Sequence, residues 1–376
     1  MHLARSTPHT VRLIVRDRSF LTNSLRPSSS SESFSCKPIA YERDGVQSWT
    51  PSGKIEAVTA ELLQYAQPQG MTAHPQASQY KHDAALKTGS QLQSFADIHT
   101  LWITTKAQQV IPAISSLLPR LSSDSTLVLL QNGGGLLEQM IRDLFPDQDK
   151  RPSFILCVNT HGAYVKDWGK KPSSKGLVTE WAGVGDIAFG VLPNIHIRKH
   201  VEQHHPDSPL LNPLSKTPPP LSHFNLPSSS LHTTLSSLLA CKELNPRFLS
   251  LSSLQILQKQ KVAVNAVINS LTSIYDIKNG LLLSHNQHIT PTMFNICQEA
   301  SNVFTAQLRQ ELQENDAREE MSMEQKEILE TGILQESHPL HAVSLYTKTI
   351  QVARSTGQNI SSTLQDIRSG KPQTEM

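Results

Sequence analysis

The 376 residues carry 34 Lys+Arg against 32 Asp+Glu, and only 18% of the chain is charged. A length of this order suits two folded domains, and a formal net charge of +2 gives no broad basic field for nucleic acid as the main partner. Dense apolar runs exclude a wholly disordered chain. None of those runs approaches the roughly 20 residues needed to span a bilayer, so a soluble chain with no membrane partner is expected. Cys36, Cys157, Cys241 and Cys297 are widely scattered, without metal-ligand or disulfide spacing. That usage suits a reducing, intracellular compartment, and no metal site is expected.

Met1 to Arg18 is rich in Arg and holds its first acid at Asp17, and Ser28 to Ser31 follow. Two readings stay open: a mitochondrial transit peptide, or a β-strand at Val11-Arg12-Leu13-Ile14-Val15. A strand ending at Arg16 is a place where a dinucleotide fold can hold an adenosine 2′-phosphate. Residues 22 to 95 are mostly polar, with a helical stretch expected near Lys54 to Tyr65.

The pattern then changes. Strands are expected at His99–Thr104, Ser125–Leu130 and Phe154–Val158, alternating with helices at Val110–Leu121 and Leu136–Leu144. Strand–helix–strand alternation with short connections predicts a parallel α/β sheet. Two more strands are expected at Leu177–Trp181 and Asp186–Val191. Residues 195–230 are rich in Pro, His and Ser and read as an interdomain loop without fixed structure. From Leu231 onward only helical periodicity remains, at about 231–240, 253–275, 291–314, 323–335, 338–354 and 361–368. The domain division is therefore 1–194, a loop at 195–230, and an all-α unit at 231–376.

Lys106 stands past one strand end, Asn132 past a second, and Thr160-His161 past a third. In open parallel sheets the ligand crevice lies beyond the carboxyl ends of the strands, so three polar residues on one rim point to a site. The run Gln131-Asn132-Gly133-Gly134-Gly135 opens a helix, where backbone N–H groups favour an anion, although an ordinary turn would look the same. Lys261, Asn265, Asn269 and Thr272 fall within about a quarter turn of one helix whose remaining face is apolar. A lysine in such a stripe is costly unless it faces a polar cavity or partners. Lysine also suits proton transfer, and a purely structural hydrogen-bond network is the alternative. The histidines are expected in solvated loops.

Thr105-Lys106-Ala107, Leu130-Gln131-Asn132-Gly133, Thr160-His161-Gly162-Ala163, Lys261 to Thr272, Asn279-Gly280, and Asn359 to Asp366 with Thr374-Glu375 together resemble the ketopantoate reductase (2-dehydropantoate 2-reductase) family. The resemblance implies a Rossmann-like NADPH-binding domain, an all-α domain, and an active site in the cleft between them. Carried over by position, Lys261 is the general acid and Glu375 the acid that supports it. Asn265, Asn269 and Ser362 bind the small-molecule 2-oxo acid. Lys106 and Asn132 lie on the cofactor side, and Arg16 selects the 2′-phosphate. A non-catalytic relative that acts as a binding or regulatory protein is the alternative. The family pattern opens with a strand and a GxGxxG turn and closes with a further helix. This chain has no GxGxxG, so a chain lacking that first strand and turn, and incomplete at both ends, is expected. The compartment expected is the cytoplasm, with the mitochondrion left open by the Arg-rich start.

Overall fold

The computed structural model describes residues 97–131, 135–163, 181, 183–212, 215–227, 229–284, 287–310, 335–368 and 370 with their side chains. It describes the backbone alone at 11–15, 25–27, 34–36, 40–43, 46–49, 55–59, 164–165, 178–180, 182 and 311–317.

The expected strand β1 is present at Val11–Val15. Strands β2 (Leu25–Pro27), β3 (Phe34–Cys36), β4 (Ala40–Arg43), β5 (Val46–Trp49) and β6 (Ile55–Thr59) follow. The helical stretch expected near Lys54 to Tyr65 is a correction, because Ile55–Thr59 is a strand running parallel to β1. Ile55, Val58 and Thr59 are β-branched, and pairing with β1 outweighs the helix propensity of the Ala and Glu between them.

The organising element is a five-stranded sheet. It contains β7 (Thr100–Ile103), β8 (Thr126–Leu129), β9 (Ser153–Asn159), β12 (Ile187–Leu192) and β13 (Pro246–Phe248) in the order β13-β12-β9-β8-β7. A hairpin-like pair, β10 (Gly162–Val165) and β11 (Val178–Gly183), joins β4 and β5 in a separate sheet. Strands β7, β8 and β9 are mutually parallel, as expected, whereas β12 runs antiparallel to β9. Strand β13 was not expected, since a three-residue strand carries no readable periodicity; it pairs parallel to β12.

Helix α1 (Ala107–Ser115) and helix α2 (Leu136–Asp143) cover one face of the sheet. Gly135 starts α2 with φ of 78°, a left-handed conformation that only glycine adopts without strain. The period-2 alternation of strands divides the side chains cleanly. Phe154, Leu156 and Val158 of β9 join Leu127 and Leu129 of β8 under α1 and α2. Ile155, Cys157 and Val128 point to the opposite face. Burial on both faces is why these strands read as continuous apolar runs.

What covers that second face corrects the reading of 195–230. Helix α3 (Ile195–His204) begins at Asn194, whose side chain accepts from the Ile197 N–H, and a 3₁₀ turn occupies Leu221–Phe224. Ile197, Val201 and Phe224 are fully buried there, with Leu231, Leu235 and Leu238 of helix α4 (Leu231–Ala240). The composition that suggested a loop hides a few apolar residues at the positions that matter. Some histidines expected in loops stand in helices instead: His204, exposed, ends α3 and His232 lies on α4, while the His205 and His223 rings stack at 4.0 Å.

Helix α5 (Leu251–Tyr275) follows β13 after a short link and is capped by Ser250, which accepts from the Ser253 N–H. Its 25 residues span about 37 Å. Leu254, near its start, packs into the sheet core beside Gly190. From Ala263 onward its buried face lies instead in a second core with helices α6 (Ile289–Ala317) and α7 (Ala342–Ser355). One helix thus leaves the sheet and enters the helical unit, and Lys261 stands between the two cores. Helix α8 (Ser362–Arg368) packs on the side of α5. The architecture is a Rossmann-like α/β unit followed by an all-α unit. Among the described residues no helix is long and apolar enough to cross a membrane.

Candidate active site

The carboxyl ends of β7, β8 and β9 share one edge because the three strands are parallel. Lys261 meets that edge. Its Nζ donates to the backbone oxygen of Asn159, the last residue of β9, at 2.6 Å. This bond crosses from the helical unit to the sheet. An ammonium has three donors, and the Asn159 bond uses one of them.

One turn and two turns further along α5 come Asn265, half-buried, and Asn269, 9% exposed. The Asn269 amide donates to Ser362 Oγ at 3.5 Å, so α5 and α8 bring together two residues named from sequence as substrate binders. Thr272, at the end of the stripe, does something else. It is fully buried and its hydroxyl meets Ser361 Oγ at 2.7 Å. Thr272 and Ser361 therefore lock α8 onto α5.

The approach to Ser362 is set by backbone. The Asn279 N–H donates to Asn359 O and the Gly280 N–H to Gly357 O, both at 3.1 Å, and the Asn279 amide donates to Thr356 Oγ1 at 2.9 Å. A Cβ on Gly280 would come within 2.9 Å of Gly357 Cα. Neither backbone can yield cheaply. Gly280→Ala is expected to destabilise the protein by about 1–3 kcal/mol, read as a lowered midpoint in urea. An unchanged midpoint would show that the strap does not hold the loop before Ser362.

On the sheet side, Lys106 at the start of α1 pairs with Asp366 of α8 at 2.7 Å, with 43% and 17% of their side chains exposed. Asp366 was not singled out for this role, and neither was Asn159. One partner lies far away in sequence and the other contributes only a backbone oxygen, so neither leaves a local pattern. Thr105 Oγ1 and Gln131 Oε1, just past β7 and β8, are buried without a hydrogen-bond partner among the described residues. Buried polar atoms are normally paired, and two orphans on one rim mark a place for a polar ligand.

Thr160 and His161 hold the rim together. The Nδ1 of His161 accepts from the Gly185 N–H at 2.9 Å and from Trp181 Nε1 at 3.2 Å. Two donors facing Nδ1 place the ring hydrogen on Nε2, which donates to Leu244 O at 3.0 Å. Thr160 bonds Asp186, which also pairs with Arg247. Arg16, Asn132 and Glu375 lie outside the described residues. Cys157, Cys241 and Cys297 are buried, and burial pushes the Cys157 thiol far above its ordinary range. Among the described residues no cluster of His, Cys, Asp or Glu could hold a metal ion.

A Rossmann-like sheet whose carboxyl edge is met by a lysine from a helical unit has the layout of a two-domain dinucleotide-fold protein. The ketopantoate reductase PanE/ApbA family matches residues 1–194, and its C-terminal family, ketopantoate reductase PanE/ApbA C terminal, matches 254–376. The chain belongs to the ketopantoate reductase family.

The chain is 26% identical over 208 residues to the probable 2-dehydropantoate 2-reductase of Schizosaccharomyces pombe, covering 55% of this chain and 50% of the relative. It is 25% identical over 268 residues to the 2-dehydropantoate 2-reductase of Escherichia coli O157:H7, covering 71% and 61%. The chain thus spans half to about three-fifths of the length of these relatives. The fold resembles the ternary structure of D-mandelate dehydrogenase with NADH and anilino(oxo)acetate. That match has a TM-score of 0.55 at 12% identity, over 100% of this chain and 82% of the other. The 2-dehydropantoate 2-reductase of Geobacter metallireducens GS-15 has a TM-score of 0.52 at 11% identity, over 99% and 83%.

Proposed function

We propose that the chain carries the reductase activity of its family: NADPH-dependent reduction of 2-dehydropantoate, a 2-oxo acid, to the 2-hydroxy acid pantoate. The observation that carries the reading is Lys261, whose Nζ stands 2.6 Å from the Asn159 oxygen at the carboxyl edge of three parallel strands. When bound, the nicotinamide supplies the hydride. As negative charge develops on the substrate oxygen, Lys261 stabilises it and delivers the proton. Asn265, Asn269 and Ser362 orient the substrate, and Glu375 supports the lysine.

The residues on the cofactor side fit such a group in one respect visible here. Thr105 Oγ1 and Gln131 Oε1 are orphaned on the rim where a dinucleotide would lie. Lys106 and Asn132 would join them, with Arg16 on the 2′-phosphate. The test is NADPH oxidation by the purified protein with 2-dehydropantoate. Absence of turnover together with absence of NADPH binding overturns the reading in favour of a non-catalytic relative.

Lys106 separates ligand binding from folding. Its ion pair with Asp366 is partly exposed, and such pairs contribute roughly 0–1 kcal/mol to stability. Lys106→Ala is expected to leave the melting temperature within about two degrees. It should raise the Kd for NADPH roughly tenfold, as loss of one charge-assisted hydrogen bond would. Titration of NADPH fluorescence reads the Kd, and an unchanged value removes Lys106 from the cofactor site.

A further inference from the structure

An open polar pocket lies on the helical unit, away from the Lys261 edge, with Gln298, Asn302 and Arg309 exposed in it. Its volume is about 430 Å³, and it is lined by Gln298, Ser301, Asn302, Thr305 and Arg309 of α6 with His341, the N-cap of α7. The volume is in the range of small-molecule sites. The helical period explains how α6 builds it. Residues 298, 301, 302, 305 and 309 fall on one flank, while Met293, Cys297 and Phe304 face the core.

The lining has one sign. It contains a guanidinium, an imidazole, and hydroxyl or amide groups, and no carboxylate among the described lining residues. Glu299, which lies on α6 beside Gln298, is not part of it. Among the described ion pairs none includes Arg309. Ser301 is only 5% exposed, so the lining reaches into buried structure. His341 caps α7 by accepting from the Val343 N–H, which places the positive end of a 14-residue helix beside the cavity. The surroundings are positive too. Burial, followed by the nearby Lys216 and His341, holds the His338 imidazole below its usual range.

We propose that this cavity binds a small-molecule oxyanion, a phosphate or carboxylate group, with the Arg309 guanidinium as its principal anchor. The planar fork of arginine matches two oxygens of either group. His341, Asn302 and Thr305 supply further donors, and the volume leaves room for the body of a molecule behind the anionic group. None of these residues belongs to the proposed reductase site.

The probes are inorganic phosphate and citrate, titrated separately against the whole protein at pH 6.5, with ionic strength matched by potassium chloride. Binding is followed by thermal shift and by the ring resonances of His341. A saturable response is expected, and the stronger of the two probes identifies the class of anion. Arg309→Gln should raise the apparent Kd at least tenfold. His341→Asn, which keeps an N-cap residue, should raise it about threefold, near 0.6 kcal/mol. Lys261→Ala should leave the response intact, which separates this cavity from the reductase site. The proposal is overturned if Arg309→Gln responds like the parent, if Lys261→Ala abolishes the response, or if neither probe saturates. Should Arg309→Gln fail to fold, the His341 resonances of the parent decide alone: no movement with either anion overturns it.

Discussion

Lys261→Ala is expected to lower kcat for NADPH oxidation with 2-dehydropantoate by about 10²–10⁴-fold, the range of a lost general acid and oxyanion-stabilising cation. The side chain is half-buried and crosses from α5 to the end of β9. Its removal also frees the Asn159 carbonyl, at about 0.5–1.5 kcal/mol. A melting curve measured beside the kinetics separates that cost from the chemistry. Lys261→Arg sharpens the test. Arginine keeps the positive charge but does not give up its proton at neutral pH, so KM should change less than kcat. A variant with kcat near that of the parent would remove Lys261 from the reaction. Equal losses in kcat and in folded fraction would make it a structural bridge.

How far the sequence announced this site depends on where each signal resides. The stripe Lys261, Asn265, Asn269 and Thr272 was legible because a helix of 25 residues keeps its period and shows polar residues against an apolar face. The same stripe did not tell that Thr272 serves packing, since that role depends on Ser361 across the helix pair. The Lys106–Asp366 and Lys261–Asn159 contacts join distant segments through topology alone. The helix Leu231–Ala240 falls on the expected residues because its leucines recur at helical spacing. Ile55–Thr59 and Pro246–Phe248 were missed because pairing partners decide such short strands.

The stretch 195–230 is the sharpest case, and Phe224→Ala tests it. A loop without fixed structure would tolerate the change at no cost. Phe224 is instead fully buried, 6.3 Å from the ring of Phe248, which itself stacks on Phe189 of β12 at 5.3 Å. With Ile197 and Val201 of α3 it seals the face of the sheet that α1 and α2 do not reach. Truncating a buried phenylalanine removes its transfer free energy and leaves a cavity, together costing about 3–5 kcal/mol. For a domain of marginal stability, typically 5–15 kcal/mol, that is a large fraction. Urea denaturation should show a much lower midpoint with an unchanged slope. Because neither Asn159 nor Lys261 belongs to this core, any surviving folded fraction should bind NADPH as the parent does. An unchanged midpoint would mean that the second face of the sheet is covered by something other than this segment.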